Sequence, residues 1–167
     1  MKSVKFVLVF ILVFVVFLSC TRKSEKETIV REMVSKKVNC FDVKSSDSVD
    51  YIVLSYIDKG GCVKCKLKLY KWKEFKEQLV ALGKSVSIVF VANESVIKDL
   101  DLLLKEADFQ PDRLICDKDN KFKTQNNIPK DFMLQTFLLD KTLKIVLVGN
   151  PIHNAKVKEL YVKYMRK

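Results

Sequence analysis

Apolar residues along this chain form short continuous runs that alternate with stretches in which they recur every three or four positions. The run Val49–Ile57 is rich in Val, Ile and Tyr, which predicts a strand buried on both faces, as in a parallel sheet. Gly60 and Gly61 interrupt this pattern. From Val63 to Leu82 the spacing predicts one amphipathic helix. Its apolar stripe consists of Cys65, Leu69, Trp72, Phe75, Leu79 and Leu82.

The rest of the chain continues the alternation. The predicted elements are, in order, a strand over Ser85–Ala92, a helix capped by Asn93 and running to about Ala107, a strand over Arg113–Asp117, a polar helix or loop over Asp119–Asn127, two strands over Met133–Asp140 and Lys144–Val148, and a helix over Ala155–Tyr164. The last two strands are separated by a short turn, which fits a β-hairpin. This order predicts a three-layer α/β domain with a central mixed sheet and a C-terminal β-hairpin and helix.

The N-terminus follows a different pattern. A short basic segment precedes Phe6–Leu18, which is thirteen apolar residues without interruption. As a helix this run would rise about 20 Å, short of the roughly 30 Å hydrocarbon core, so its length fits a secretory signal better than a membrane span. Ser19-Cys20 directly after it resembles the lipobox of bacterial lipoproteins, which implies cleavage before Cys20 and a diacylglycerol on its thiol. The alternative is an uncleaved N-terminal anchor.

These features predict a division into a signal peptide at residues 1–19, a polar tether at 20–36 and one folded domain at 37–167. Either N-terminal alternative exports the domain and attaches it to a membrane, facing the periplasm or the cell surface. Thr21 after the lipidated cysteine is compatible with the outer membrane. The net charge is +11, which we interpret as a solvated surface facing an anionic membrane. We expect no nucleic-acid partner, because no basic segment is interleaved with aromatic residues.

The sequence Gly61-Cys62-Val63-Lys64-Cys65 lies at the junction between the first predicted strand and the helix that follows it. The N–H groups at a helix start favour a thiolate, and nearby lysines add to that effect. A Cys-x-x-Cys in this position is typical of a thioredoxin-like redox motif. The spacing also permits an inert disulfide or a metal site. Zinc, however, would need two further ligands.

The motif does not stand alone. Cys62 to Cys65 after a strand, the run Ile115–Asp119, and Thr136–Asp140 followed by Lys144-Ile145-Val146 together resemble the thioredoxin fold. Within that fold they resemble the redoxin branch with TlpA-like and AhpC/TSA-type proteins. The resemblance covers Val49 to Lys167.

This resemblance implies that Cys62 is the attacking cysteine and that Cys65, more buried, is the resolving one. It further implies a substrate groove near the dithiol. The residues assigned to that groove are Gly61, Val63, Lys64, Gln135 and Thr136.

Three positions depart from the family pattern. The family has a proline where this chain has Gln135, so we expect a trans peptide bond there and expect that Gln135→Pro raises turnover. The family often has Trp before the first cysteine, where this chain has Gly61. Some members bury an acidic residue beneath the dithiol, where this chain has Tyr56.

The remaining candidate groups are few. His153 is the only histidine, and copper binding by Cys62, Cys65 and His153 is a weak alternative. Cys116, in an apolar strand, is predicted to be a buried inert thiol or to pair with Cys40. A peroxidase is disfavoured, because the chain has Gly-Gly-Cys in place of a Thr-x-x-Cys motif. We expect no cofactor and no resident metal.

The sequence therefore predicts a membrane-tethered thiol–disulfide oxidoreductase. Its partners would be exported proteins with thiols or disulfides and a membrane electron donor that resets the Cys62–Cys65 pair. The alternative is a lipoprotein of the same fold that acts as a binding module with little redox turnover. The absence of proline at Gln135 motivates this alternative.

Overall fold

The computed structural model describes residues 25–39 and 49–166. The signal segment, the lipidation site Cys20 and Cys40 lie outside these residues, so the predictions made for them stay predictions. The chain separates into two compact units, Met1–Met33 and Val34–Lys167. In the first, residues 25–33 form a helix (α1) within the segment predicted to be a polar tether. None of the helices in the described part is both long and apolar enough to cross a membrane.

The second unit is built on a five-stranded sheet. Its strands are β1 (Tyr51–Ile57), β2 (Val86–Asn93), β3 (Arg113–Asp117), β4 (Thr136–Asp140) and β5 (Ile145–Val148). The spatial order is β3-β2-β1-β4-β5. The pairs β1–β2 and β2–β3 are parallel, whereas β1–β4 and β4–β5 are antiparallel. The predicted mixed sheet with a C-terminal hairpin is therefore confirmed, and β1 at its centre is buried along nearly all its length.

The helices confirm the predicted order with one difference. They are α2 (Val63–Leu67), α3 (Leu69–Val80), α4 (Ile97–Glu106), α5 (Lys121–Gln125) and α6 (Ala155–Met165). The single helix predicted over Val63–Leu82 is wrong, because Lys68 adopts a left-handed conformation (φ 47°) between α2 and α3. Leu67 and Leu69 are both buried. Residues two apart on one continuous helix point about 200° away from each other, so burying both requires the chain to turn between them.

Helices cover both faces of the sheet. On one face α3, α4 and α6 share a core in which Trp72 meets Phe90 edge-to-face, with ring centroids 5.1 Å apart. Tyr161 of α6 is fully buried there, its hydroxyl donates to the carbonyl of Gly149 at 3.1 Å, and burial raises the pKa of that hydroxyl. On the other face Phe122 of α5 stacks on Tyr56 at 6.1 Å. The predicted three-layer arrangement is confirmed.

The β5 edge of the sheet is covered by the beginning of the second unit. The N–H of Ser35 donates to the carbonyl of Ile145, and the N–H of Ile145 donates to the carbonyl of Lys36. Lys37 forms an antiparallel bridge with Lys144. This pairing satisfies backbone groups that an exposed edge strand would leave open to another chain.

Candidate functional site

The loop after β1 delivers two cysteines to the start of α2. Cys62 is the N-cap of α2, and Cys65 lies within its first turn. Their Cα atoms are 5.2 Å apart and their side chains form a disulfide. Gly60 and Gly61 precede them with φ of 99° and 66°, conformations that favour glycine over residues with a side chain. The glycine pair thus permits the sharp entry from strand to helix that the sequence indicated.

The two sulfurs are not equivalent. The backbone N–H of Cys65 donates to Sγ of Cys62 at 3.1 Å. A hydrogen bond to a sulfur that carries negative charge stabilises the charged form, so this donor favours a thiolate at Cys62 when the disulfide is reduced. Because α2 has only five residues, this direct contact matters more than the dipole of a long helix. The geometry therefore favours a thiolate at Cys62, and its role as the attacking cysteine stays a prediction.

The structure does not bury Cys65, and the prediction that it is more buried than Cys62 stays a prediction. Both Cys62 and Cys65 are exposed, and Leu67 occupies the buried position of α2 instead. The turn at Lys68 separates α2 from the apolar stripe of α3, so Cys65 does not share that stripe. Neither cysteine residue is therefore enclosed in the core of the domain.

A cluster of side chains that the sequence did not point to supports the cysteine loop. The ammonium of Lys66 donates to the carbonyl of Gly60 at 2.7 Å and lies 5.8 Å from the ring centroid of Phe132. His153 contacts the edge of Phe132, and its Nε2 is hydrogen-bonded to the carbonyl of Lys66. These contacts fasten α2 and the preceding loop to the C-terminal half of the domain. No sequence signal marks them, because the partners are distant in the chain.

Two of the five predicted groove residues are turned into the protein. Thr136 is fully buried and its hydroxyl meets the hydroxyl of Ser55 at 3.0 Å. Gln135 is also buried, and its side-chain amide donates to the carbonyl of Pro129 at 2.8 Å. These two side chains are therefore buried, and the assignment of Gln135 and Thr136 to a substrate groove stays a prediction. Gly61 and Lys64 are exposed and Val63 is half-buried, and their contact with a substrate stays a prediction.

The backbone of Gln135 is engaged as well. Its N–H donates to the carbonyl of Phe132 at 3.3 Å, and its carbonyl accepts from the N–H of Tyr56 at 2.8 Å. The peptide bond before it is trans. A client segment lying beside the disulfide thus finds no free main-chain group at Gln135.

No protein-family model and no curated protein matches this sequence. Solved structures match it over most of its length. A candidate thiol:disulfide interchange protein, DsbE, from Chlorobium tepidum superposes with a TM-score of 0.60 at 13% identity, covering 80% of this chain and 98% of its own. Peroxidoxin BcpB from Mycobacterium tuberculosis gives 0.58 at 15% identity, covering 80% and 96%. A candidate thiol-disulfide oxidoreductase from Bacteroides vulgatus gives 0.56 at 19% identity, covering 78% and 84%.

The chain has a thioredoxin-like fold. The fold class predicted from the sequence and its resemblance to the thioredoxin fold are thereby confirmed. At these identities the neighbours establish the architecture, and what the site does must be argued from its own residues.

In this thioredoxin-like domain a buried network lies behind the cysteine loop. Tyr56, at the position where the family resemblance places an acid, donates from its hydroxyl to Asp117 at 3.0 Å. Asp117 is buried at the end of β3 and also accepts the backbone N–H groups of Phe122 and Lys123. Burial and the bond to Asp117 hold the pKa of Tyr56 well above its ordinary range. A buried carboxylate is thus present near Tyr56, but it comes from β3 and its oxygens accept hydrogen bonds from Tyr56, Phe122 and Lys123.

A small cavity connects this network to the helix that carries the disulfide. It has a volume of about 30 Å³, which corresponds to room for one water molecule. Its walls include Tyr56, Asp58, Val63, Lys66 and Gln135. The cavity is too small to hold a peptide side chain.

The remaining candidates from the sequence are a metal site, His153 and Cys116. Within residues 25–39 and 49–166, no three His, Cys, Asp or Glu side chains are grouped to hold a metal ion. The one histidine already uses Nε2 in its bond to Lys66. The prediction of a buried thiol at Cys116 is wrong, because this residue is exposed on the edge strand β3. Its pairing with Cys40 stays a prediction.

Proposed function

We propose that this protein is a thiol–disulfide oxidoreductase that uses Cys62 and Cys65. One observation carries the proposal: an exposed disulfide at a helix N-terminus, in which the N–H of Cys65 donates to Sγ of Cys62. This arrangement stabilises a thiolate on an accessible sulfur, which is the state needed for disulfide exchange.

In the reducing direction the Cys62 thiolate attacks one sulfur of a client disulfide. A mixed disulfide forms, and the other client sulfur leaves as a thiolate. The Cys65 thiolate then attacks Sγ of Cys62, which releases the second client sulfur and leaves the Cys62–Cys65 disulfide. The client gains two electrons, and a dithiol donor must return two electrons to the pair before the next cycle. With an oxidising partner the same steps run in reverse.

We further place this activity outside the cytoplasm, on a domain anchored through lipidated Cys20. The clients are then exported proteins with thiols or disulfides, and the two electrons come from a donor at the membrane. The support is the thirteen-residue apolar segment followed by Ser19-Cys20. Labelling of cells with radioactive palmitate tests the anchor: incorporation into the wild-type chain and its loss in Cys20→Ala are expected. Equal labelling of both chains contradicts it.

The activity is tested by the reduction of insulin and of hydroxyethyl disulfide by the full chain in detergent, with Cys62→Ser beside it. We expect turnover by the wild type and its loss in the variant. Cys116→Ser removes an exposed thiol outside the pair and is the matched control that should keep full activity. A reduced wild-type protein without turnover on either substrate contradicts the proposal.

The engaged backbone of Gln135 favours a second candidate, a binding module with little or no turnover. Its N–H and carbonyl are both bonded within the protein, so a client cannot extend the sheet there as an added strand. The same assay separates the two candidates, because a binding module leaves both substrates oxidised.

A further inference from the structure

A groove runs along the outer surface between residues 64–70 and residues 103–107, and we refer to it as the α2–α4 groove. Its volume is about 290 Å³, near the lower end of the range for ligand clefts. The left-handed turn at Lys68 opens it, because this turn offsets α3 from α2 and leaves Leu69 at the floor. The groove is therefore a consequence of the helix break that the sequence did not predict.

The lining of the groove is apolar in the middle and charged at the rim. Leu69, Leu103 and Tyr70 supply the apolar surface, and the Tyr70 side chain is 59% exposed. An exposed aromatic ring beside an open apolar floor is typical of surfaces that contact a partner. At the rim stand Lys64 and Lys68.

The charge at the rim is predominantly positive. Glu106 is the one acidic residue that lines the groove, and it pairs with Lys64 at 3.5 Å. This leaves Lys68 to face an incoming partner. An acidic group on the partner is therefore favoured over a basic one.

The position of the groove relates it to the cysteines. Lys64 lies between Cys62 and Cys65 in the sequence and is also part of the groove wall. Lys68, the C-cap of α2, lies six residues beyond the N-cap Cys62, which is about 9 Å along the helix axis. An extended polypeptide covers about 3.3 Å per residue, so a segment bonded to Cys62 reaches the groove with a side chain about three residues from its own cysteine.

We propose that the α2–α4 groove binds the client polypeptide, taking an apolar or aromatic side chain about three residues from the client cysteine, next to an acidic residue. This inference rests on the proposed function and specifies its substrate class. Tyr70 and Leu103 are specificity-determining residues here, whereas Cys62 and Cys65 carry out the exchange.

The kinetic test uses the full chain and two synthetic disulfide peptides that differ only in the relevant pair, Phe-Asp or Ser-Asn, three residues from the cysteine. Hydroxyethyl disulfide is the third substrate, because it is too small to reach the groove. We expect Tyr70→Ser to lower kcat/KM for the Phe-Asp peptide about tenfold, a loss of one well-packed aromatic contact. The rates with the Ser-Asn peptide and with hydroxyethyl disulfide should stay unchanged.

The matched control is Leu102→Ser. Leu102 is on α4 next to the groove residue Leu103, is 60% exposed and does not itself line the groove. It should leave all three rates unchanged. Equal rates for both peptides in the wild type, or an equal loss in Leu102→Ser and Tyr70→Ser, overturn the inference. Lys68→Gln should narrow the difference in kcat/KM between the Phe-Asp and Ser-Asn peptides while the turnover of hydroxyethyl disulfide is kept.

A binding measurement separates this inference from the proposed function. The Phe-Asp peptide with serine in place of its cysteine cannot react, and its addition to isotope-labelled protein should shift the amide resonances of Leu69, Tyr70 and Leu103. Shifts confined to other residues overturn the inference even if turnover is normal. Absence of turnover together with shifts at the groove supports the inference and contradicts the proposed function. Sedimentation that shows a dimer lost in Tyr70→Ser identifies a second copy of the chain as the occupant and also overturns it.

Discussion

The hydroxyl of Tyr56 donates a 3.0 Å hydrogen bond to the buried carboxylate of Asp117. The bond joins the end of the central strand β1 to the end of β3. Tyr56 is adjacent to Ile57, the last residue before the cysteine loop, and so the bond fixes the backbone from which that loop departs. Asp117 accepts three donors in all, which compensates its removal from water.

The first prediction concerns the stability that this bond provides. Tyr56→Phe leaves Asp117 with its two backbone donors and removes the third. We expect the free energy of unfolding to fall by about 1–3 kcal/mol, the usual cost of depriving a buried charged group of one partner. Urea denaturation at pH 7 measures it. Tyr70→Phe, at an exposed tyrosine, is the control and should change the stability little; an unchanged stability in Tyr56→Phe contradicts the prediction.

The second prediction concerns alkaline pH. The pKa of Tyr56 in the folded state lies above its ordinary value of about 10, because the side chain is buried and bonded to Asp117. Above about pH 10 the unfolded chain releases the Tyr56 proton while the folded chain keeps it, so the free energy of unfolding falls as pH rises. The stability that the raised pKa of Tyr56 contributes is fully present below about pH 10. It is lost as the pH rises from the pKa of this tyrosine in the unfolded chain to its pKa in the folded protein.

The corresponding measurement compares urea unfolding of the wild type and of Tyr56→Phe between pH 10 and 11. The wild type should lose up to about 1.4 kcal/mol per pH unit more than the variant, which is the value for one proton. Tyr161 also has a raised pKa but is present in both proteins, so it cancels in the difference. Parallel curves for the two proteins would contradict this assignment.

The third prediction concerns the two cysteines. In reduced Cys65→Ser the remaining Cys62 keeps a backbone N–H aimed at its sulfur, whereas none of the residues that the structure describes donates to Sγ of Cys65. A hydrogen bond to a charged group is worth about 1.5–3 kcal/mol. At pH 7 Cys62 should therefore react with iodoacetamide about tenfold faster than Cys65 or more. Peptide mapping assigns the modified residue, and equal rates would show that the donor does not distinguish the sulfurs.

The fourth prediction concerns Gln135. Proline here removes the N–H bond to Phe132, and its ring disfavours the helical conformation of the preceding residue, Leu134. We expect Gln135→Pro to lower the free energy of unfolding by about 3 kcal/mol. Gln135→Met, which keeps the backbone N–H and loses only the bond to Pro129, is the control and should cost less. The sequence predicts that Gln135→Pro raises turnover, whereas the structure predicts that it lowers stability. Turnover of the variant is therefore measured at a temperature at which the folded state is still fully populated.

The sequence by itself determined the order and type of most elements. The buried character of Val53 and Leu54 follows from a continuous apolar run, and the helical spacing of Trp72 and Phe75 gives the core face of α3. These patterns are local, because burial and periodicity are set within ten or twenty residues. The position of Cys62 and Cys65 between a strand and a helix was predictable for the same reason.

The tertiary structure decided the properties that depend on distant partners. Lys68 turns left-handed because Leu67 and Leu69 must both be buried, and that turn exposes Cys65 and opens the α2–α4 groove. Gln135 is buried because its side-chain amide donates to the carbonyl of Pro129 and its own carbonyl accepts from the N–H of Tyr56. Such effects come from contacts between segments far apart in the chain, and no local pattern of apolar and polar residues encodes them.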